Sequence, residues 1–94
     1  MKYYDWNNKK NEKLKTEREI GFEDVLIAIE DKKILDIIEH KNQKKYPNQK
    51  MFVININSYV YLVPFAEDEC KIFLKTIIPS RKATKKYILK TGNK

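Results

Sequence analysis

The sequence predicts an α+β domain, with helices at its two ends and a largely antiparallel sheet of four strands between them. Runs rich in Ile, Val, Phe and Tyr occupy residues 34–39, 51–56, 59–65 and 71–78, as expected of strands. Their connections are short, which favours neighbours that pair antiparallel in series. A chain of 94 residues has room for one small core, so residues 1–94 are interpreted as one domain.

The residues before the sheet predict two helices and an optional fifth strand over residues 3–6. Asn7 or Asn8 can cap the first helix, which is expected to end near Glu19. Residues 22–31 predict the second helix, because their apolar side chains recur every three or four positions and acidic residues lie near its N-terminus. We expect the helices to cover one face of the sheet.

The later connections also carry local signals. Asn57-Ser58 predicts a tight turn between the second and third strands of the series. Residues 41–49 form a polar loop with no assigned role. Ser80 can cap a last helix that runs to about Leu89.

The composition excludes several classes of protein. A single cysteine, Cys70, cannot form an internal disulfide, which fits a reducing compartment. No apolar run is long enough to span a membrane, and the first residues lack the apolar core of a signal peptide, so we expect a cytoplasmic protein. The two glycines, at 21 and 92, form no phosphate-binding loop, and no Cys/His set predicts a metal cofactor.

Positive charge is concentrated at the C-terminal end. The formal net charge is +7, and the last 24 residues contain eight Lys or Arg and no Asp or Glu. Concentrated positive charge on a folded element attracts polyanions, of which nucleic acid is the commonest. A binding module without enzymatic activity, or a module that meets an acidic protein, remains open at this point.

Four cations of the last predicted helix have helical spacing. Arg81 and Lys85 fall on one side, and Lys82 and Lys86 lie next to them. Clustered like charges weaken an isolated helix, so they indicate an external anion such as phosphate, which Arg contacts in a bidentate manner and Lys as a point charge. A merely solvated helix face is the alternative.

Other single residues have two interpretations each. Tyr87, on the same helix, and Tyr61 can stack on unpaired bases or simply pack. Strand alternation places Lys75 on a face with Phe73 and Ile77, either at a sheet edge or in a site. His40, the only histidine, can transfer protons near neutral pH or lie in solvent.

Three segments resemble the BrnT-type toxins of bacterial type II toxin–antitoxin systems, which belong to the RelE-like ribonucleases. They are Tyr4-Asp5-Trp6-Asn7 with Lys10-Asn11, then Gly21-Phe22-Glu23-Asp24-Val25, and finally Ile78-Pro79-Ser80-Arg81-Lys82-Ala83-Thr84-Lys85 with Tyr87. Together they span nearly the whole chain in the order of the family. The chain departs from the family in lacking the Glu that usually follows the basic pair of the last helix.

This resemblance implies a RelE-like fold, metal-independent RNA cleavage and inhibition of translation. It also implies a cognate ribbon-helix-helix antitoxin (BrnA-like) and promoter DNA bound through the complex. Lys75, Arg81 and Lys82 would stabilise the charge of the phosphorane, while His40 and Tyr87 would carry protons. For this role Tyr87 would need neighbouring cations to lower its pKa. The residues expected to bind RNA are Lys50, Tyr61, Lys85 and Lys86.

Overall fold

The structure, a computed structural model, describes residues 2–39, 44–45 and 49–89. In chain order its elements are β1 (Tyr3–Trp6), α1 (Asn8–Arg18), α2 (Phe22–Glu30), β2 (Ile34–Glu39), β3 (Lys50–Ile56), β4 (Tyr59–Glu67), β5 (Lys71–Leu74), β6 (Ile78–Pro79), α3 (Arg81–Thr84) and a π-helical turn (Lys85–Leu89). The predicted α+β class is confirmed.

One mixed sheet contains every described strand. Its order is β1-β5-β4-β3-β2, and the short β6 also pairs with β4. The strands β2 to β5 are antiparallel neighbours in series, as predicted, but β1 lies parallel to β5. The described residues form six strands, whereas the sequence predicted four with an optional fifth. The two helices carry the chain from β1 to the far edge at β2, and the antiparallel series then returns it beside β1.

The turn between β3 and β4 confirms the hairpin signal. Asn57 and Ser58 both have positive φ, 56° and 66°. Two successive residues of this kind form a turn whose twist matches that of the flanking strands. The hairpin then runs in register from Ile56↔Tyr59 to Lys50↔Phe65.

The main core lies between the sheet and the pair α1 and α2. Aromatic contacts define its two ends: Trp6 stacks on Phe22 with ring centroids 5.6 Å apart, and Phe52 stacks on Phe65 at 4.1 Å. The buried residues of this core are Leu14, Ile20, Phe22, Val25, Ala28, Phe52, Ile54, Val63, Phe65, Leu74 and Ile77. Burial of this apolar area is the main stabilising contribution to the fold.

Asn11 joins α1 to the start of α2. Its side chain is only 3% exposed. Its Oδ1 accepts the Phe22 N–H at 2.7 Å, and its Nδ2 donates to both carboxylate oxygens of Glu23 at 3.1 and 3.0 Å. Gly21 permits this approach, because a Cβ there would stand 2.9 Å from Asn11 Oδ1 and 2.7 Å from Glu23 Oε1. The pKa of Glu23 is lowered, chiefly by the hydrogen bond from Asn11.

The strand predicted over residues 71–78 is interrupted. Its ladder with β4 stops at Leu74 and resumes at Ile78, with the register shifted by one residue between the pairs Phe65↔Leu74 and Leu62↔Ile78. The break falls at Pro64, whose carbonyl accepts the Lys75 N–H at 2.8 Å. Because proline has no N–H, it cannot return the second bond of that pair.

The interruption corrects the predicted position of Lys75. Lys75 does not share a face with Ile77, because Ile77 is buried in the main core whereas Lys75 is exposed. The carbonyl of Ile77 accepts a hydrogen bond from Arg18 at 2.6 Å, which ties this bulge to the end of α1.

The expectation that helices cover one face of the sheet was wrong. The helices α1 and α2 cover the face that carries Phe52 and Val63. By contrast, α3 and the π turn lie on the face of Val53 and Leu62, with which Ala83 lines a groove. The face of Val53 is apolar as well, so its side chains must also be shielded from water, and α3 with the π turn does this.

Asn11→Ala should destabilise the fold by about 1–3 kcal/mol, since it leaves the buried Phe22 N–H without a partner. Urea unfolding measures this change. Asn8→Ala is the matched control, because Asn8 is an exposed asparagine on the same helix. Equal stability of the two variants would contradict the role given to Asn11.

Candidate nucleic-acid interface

Hydrogen bonds that involve the backbone groups of Val60 and Ser80 hold α3 against the start of β4. The Ser80 N–H donates to the Val60 carbonyl at 3.0 Å. The Val60 N–H donates to Thr84 Oγ1 at 2.8 Å, and this hydroxyl donates to the Ser80 carbonyl at 2.8 Å. Ser80 also caps α3, as predicted, because its Oγ accepts the Ala83 N–H at 3.0 Å. Thr84 is 5% exposed, so the closed set of bonds is shielded from water.

A groove runs between α3 and the sheet. It encloses about 270 Å³. Its floor is apolar and comes from three neighbouring strands, namely Ile38, Val53 and Leu62. The other side is formed by Ser80, Lys82, Ala83, Lys86 and Tyr87. An apolar floor with two ammonium groups and a phenol at its rim suits a flat ring that carries an anionic group.

The structure places one predicted pair of cations at the same groove. Lys82 and Lys86 line the same groove, and Arg81 and Lys85 are exposed beside them. Across the described parts of the chain, none of these four cations forms an ion pair with a carboxylate. Lys86 Nζ lies 5.4 Å from the centroid of the Tyr87 ring. The positive field is therefore not neutralised from within this part of the protein.

The C-terminal helix reaches Leu89, as predicted, but its last turn is π-helical. A π turn widens the helix and changes the angular position of the residues in it, and such turns are frequent at functional sites. This turn carries Lys85, Lys86 and Tyr87.

Tyr87 is bound to a carboxylate from the edge strand β2. Its hydroxyl donates to Asp36 Oδ2 at 2.9 Å. The pKa of Tyr87 is raised, first by this hydrogen bond, then by burial and then by the negative charge of Asp36. The lowering of this pKa by cations, which a proton-carrying role for Tyr87 would need, is therefore not found, because the partner of its hydroxyl is an anion. Tyr87 is a neutral phenol at physiological pH.

Sequence reasoning missed Asp36. Its Oδ1 accepts the Ile37 N–H at 2.8 Å while its Oδ2 holds Tyr87. The register with β3 slips between Ile34 and Asp36, and Asp36 then lies opposite Val53 on the face of α3. An acidic residue between the apolar pairs Ile34-Leu35 and Ile37-Ile38 of one strand is the signal that could have drawn attention to it.

Two predicted RNA-binding residues lie on the other face of the sheet. Tyr61 packs against the core beneath α1 and α2. Lys50 shares that face by strand alternation with Phe52. The structure therefore does not bring Tyr61 and Lys50 together with the cations of α3.

The remaining predicted residues divide further. Arg81, Lys82, Lys85, Lys86 and Tyr87 lie together on α3 and the turn that follows it. Lys75 is exposed at the bulge. His40 and most of the polar loop lie outside the described residues.

Within residues 2–39, 44–45 and 49–89, no group of three or more His, Cys, Asp or Glu residues is arranged to hold a metal ion. No helix in this part of the chain is both long enough and apolar enough to cross a membrane. Comparisons with protein-family models, with curated proteins and with solved structures find no match to this chain.

Thr84→Val should lower the free energy of unfolding by about 1–3 kcal/mol, because the buried Val60 N–H loses its acceptor. Thr84→Ser keeps the hydroxyl and should retain most of the stability. Urea unfolding compares the two, and amide hydrogen exchange at Val60 reports the local effect. If Val and Ser variants are equally stable, the hydroxyl does not hold α3 in place.

Asp36→Asn should lower the pKa of Tyr87 toward its ordinary value, since the substitution removes the negative charge that opposes the phenolate. Titration of the Tyr87 ring carbon by NMR measures this directly. Glu39→Gln removes one charge from the same strand without removing that hydrogen bond, and it should change the pKa less. An unchanged Tyr87 pKa in Asp36→Asn would show that the contact is not formed in solution.

Proposed function

We propose that this protein is a metal-independent endoribonuclease of the RelE-like type, which binds single-stranded RNA along α3 and acts as the toxin of a type II toxin–antitoxin pair. The observation that carries the RNA-binding part is the group of unpaired cations, Arg81, Lys82, Lys85 and Lys86, beside an apolar groove bordered by Tyr87. The toxin identity draws on the three segments that resemble BrnT-type toxins. A cytoplasmic location, a ribbon-helix-helix antitoxin and promoter DNA bound through the complex belong to the same proposal.

The chemistry of the groove favours an unpaired nucleotide. A base ring is flat and apolar on its faces, so it can lie on Ile38 and Leu62, the partly exposed residues of the groove floor, next to the Tyr87 ring. Its phosphate would then meet Lys82 and Lys86 at the rim. A base within a duplex is stacked and cannot enter such a groove, so single strands are the expected substrate.

RNA cleavage without a metal uses the nucleophile that RNA already carries. The 2′-hydroxyl loses its proton and attacks the adjacent phosphorus, the bond from phosphorus to the 5′-oxygen breaks, and that oxygen takes up a proton, leaving a 2′,3′-cyclic phosphate. Arg81 and Lys82 would stabilise the extra negative charge of the phosphorane. Tyr87, a neutral phenol, would donate a proton to the leaving oxygen, and His40 would take the first one.

A second candidate function is nucleic-acid binding without cleavage. The hydrogen bond from Tyr87 to Asp36 favours this alternative, because it occupies the phenol proton and raises the pKa of Tyr87. A binding module needs only the cations and the groove. Binding that weakens steeply with salt while the RNA stays intact would identify it.

The test is incubation of fluorescein-labelled single-stranded RNA with the purified protein in a metal chelator, followed by a denaturing gel. We expect cleavage, with Arg81→Ala and His40→Ala each lowering its rate on the order of 100-fold. Lys9→Ala is the charge-matched control for Arg81→Ala, because Lys9 is an exposed lysine on α1 across the sheet. Full cleavage by both the Arg81 and His40 variants would exclude the catalytic assignment.

A further inference from the structure

An isoleucine on the outer side of α2 has no role in the core. Ile27 is 58% exposed, the highest value among the large hydrophobic residues in the described part of the chain. Its neighbours Val25 and Ala28 are buried against the sheet. Ile27 therefore presents an apolar side chain to solvent on a helix whose core side is already complete. One exposed isoleucine is ordinary by itself, so its surroundings decide what it means.

A second groove borders Ile27. It encloses about 220 Å³ between α2 and the end of β3. Its lining consists of Asp24, Ile27, Ala28, Asp31, Lys33, Asn55, Ile56 and Asn57. Asp24 and Asp31 lie three positions before and four positions after Ile27, so the two carboxylates flank it on one helix face. The exposed Ile27 side chain therefore lies beside a groove that is bordered by two aspartates and by Lys33.

This surface lies away from the proposed RNA interface. The helix α2 packs on the sheet face of Phe52, whereas α3 packs on the face of Val53. The carboxylates beside Ile27 repel phosphate, so this surface is unfavourable for RNA binding. A protein that binds at α2 would therefore leave the groove of α3 accessible.

A second copy of this chain does not fit this surface. A two-fold axis through Ile27 would place the acidic rim of one copy against that of the other. Docking of the basic α3 of another copy would be head-to-tail, and each new copy would expose the same two surfaces again. The net charge of +7 adds repulsion between copies. A different protein of complementary charge is the occupant that remains.

We propose that Ile27 and its groove dock a basic segment of a partner protein, with one apolar anchor residue of that segment seated between Asp24 and Asp31. The apolar anchor would contact Ile27 and Ala28, and its flanking Lys or Arg residues would face the two carboxylates. Buried apolar anchors supply most of the affinity in such interfaces, while rim charges set orientation and rate of association.

The probe is a fluorescein-labelled helical peptide of Lys and Ala with a single central Leu, compared with the same peptide carrying Ala in place of Leu. Fluorescence anisotropy at physiological salt measures the affinity in the absence of RNA. We expect the Leu peptide to bind at least about 10-fold more tightly, and Ile27→Ser to remove that difference. Asp31→Asn should weaken both peptides.

Tyr3→Ser is the matched control, because Tyr3 is 57% exposed but lies on β1. It should leave peptide binding unchanged, and Ile27→Ser should leave RNA binding unchanged. Equal affinity of the two peptides, or no effect of Ile27→Ser, would overturn the proposal. Self-association lost in Ile27→Ser, measured by sedimentation, would overturn it in favour of a second copy. None of these outcomes depends on RNA cleavage, so a failed nuclease assay does not affect them.

Discussion

The candidate interface depends on which strands pair with one edge of β4. This strand pairs with β3 from Tyr59 to Phe65, but its other edge is shared between β5 and β6. The division falls at Pro64, which accepts a hydrogen bond from Lys75 and cannot donate one back. The extra residue inserted there turns Ile77 into the core and delivers Ser80 beside Val60. A residue with an N–H at this position would permit β5 to continue, and α3 would then begin elsewhere.

One face of the sheet carries the main core, and the other carries the proposed binding groove. One face carries the large core under α1 and α2, where Phe22 of α2 stacks on Trp6 of the sheet and the buried Asn11 joins the two helices. The other face is covered only by α3 and the turn after it, which leaves the groove open. The cations sit on the cover and the acids beside Ile27 lie across the sheet. A chain with 20 basic and 13 acidic residues thus presents two surfaces of opposite character.

Local signals in the sequence predicted the elements well. Caps at Asn7 and Ser80, the turn at Asn57-Ser58 and the runs rich in Ile and Val are short-range features, and the structure confirms the caps, the turn and strands at these runs. Features that depend on distant partners were not predictable in this way. The parallel pairing of β1 requires knowledge of the whole strand order, and the bulge at Lys75 follows from a proline about ten residues earlier in the chain. The hydrogen bond from Tyr87 to Asp36 likewise depends on the contact between β2 and the π turn, which are far apart in the sequence.

The attachment of α3 has a consequence for how the molecule opens. Its short helix is secured by the bonds among Val60, Ser80 and Thr84 and by the link from Tyr87 to Asp36, while the main core lies on the opposite face. Such an arrangement is a separate unit of local unfolding, with a lower opening free energy than the sheet beneath it. Amide protons of α3 would then exchange with solvent while those of β3 and β4 remain protected. The cationic segment can be remodelled by a bound molecule at the cost of a few hydrogen bonds, without melting the body of the protein.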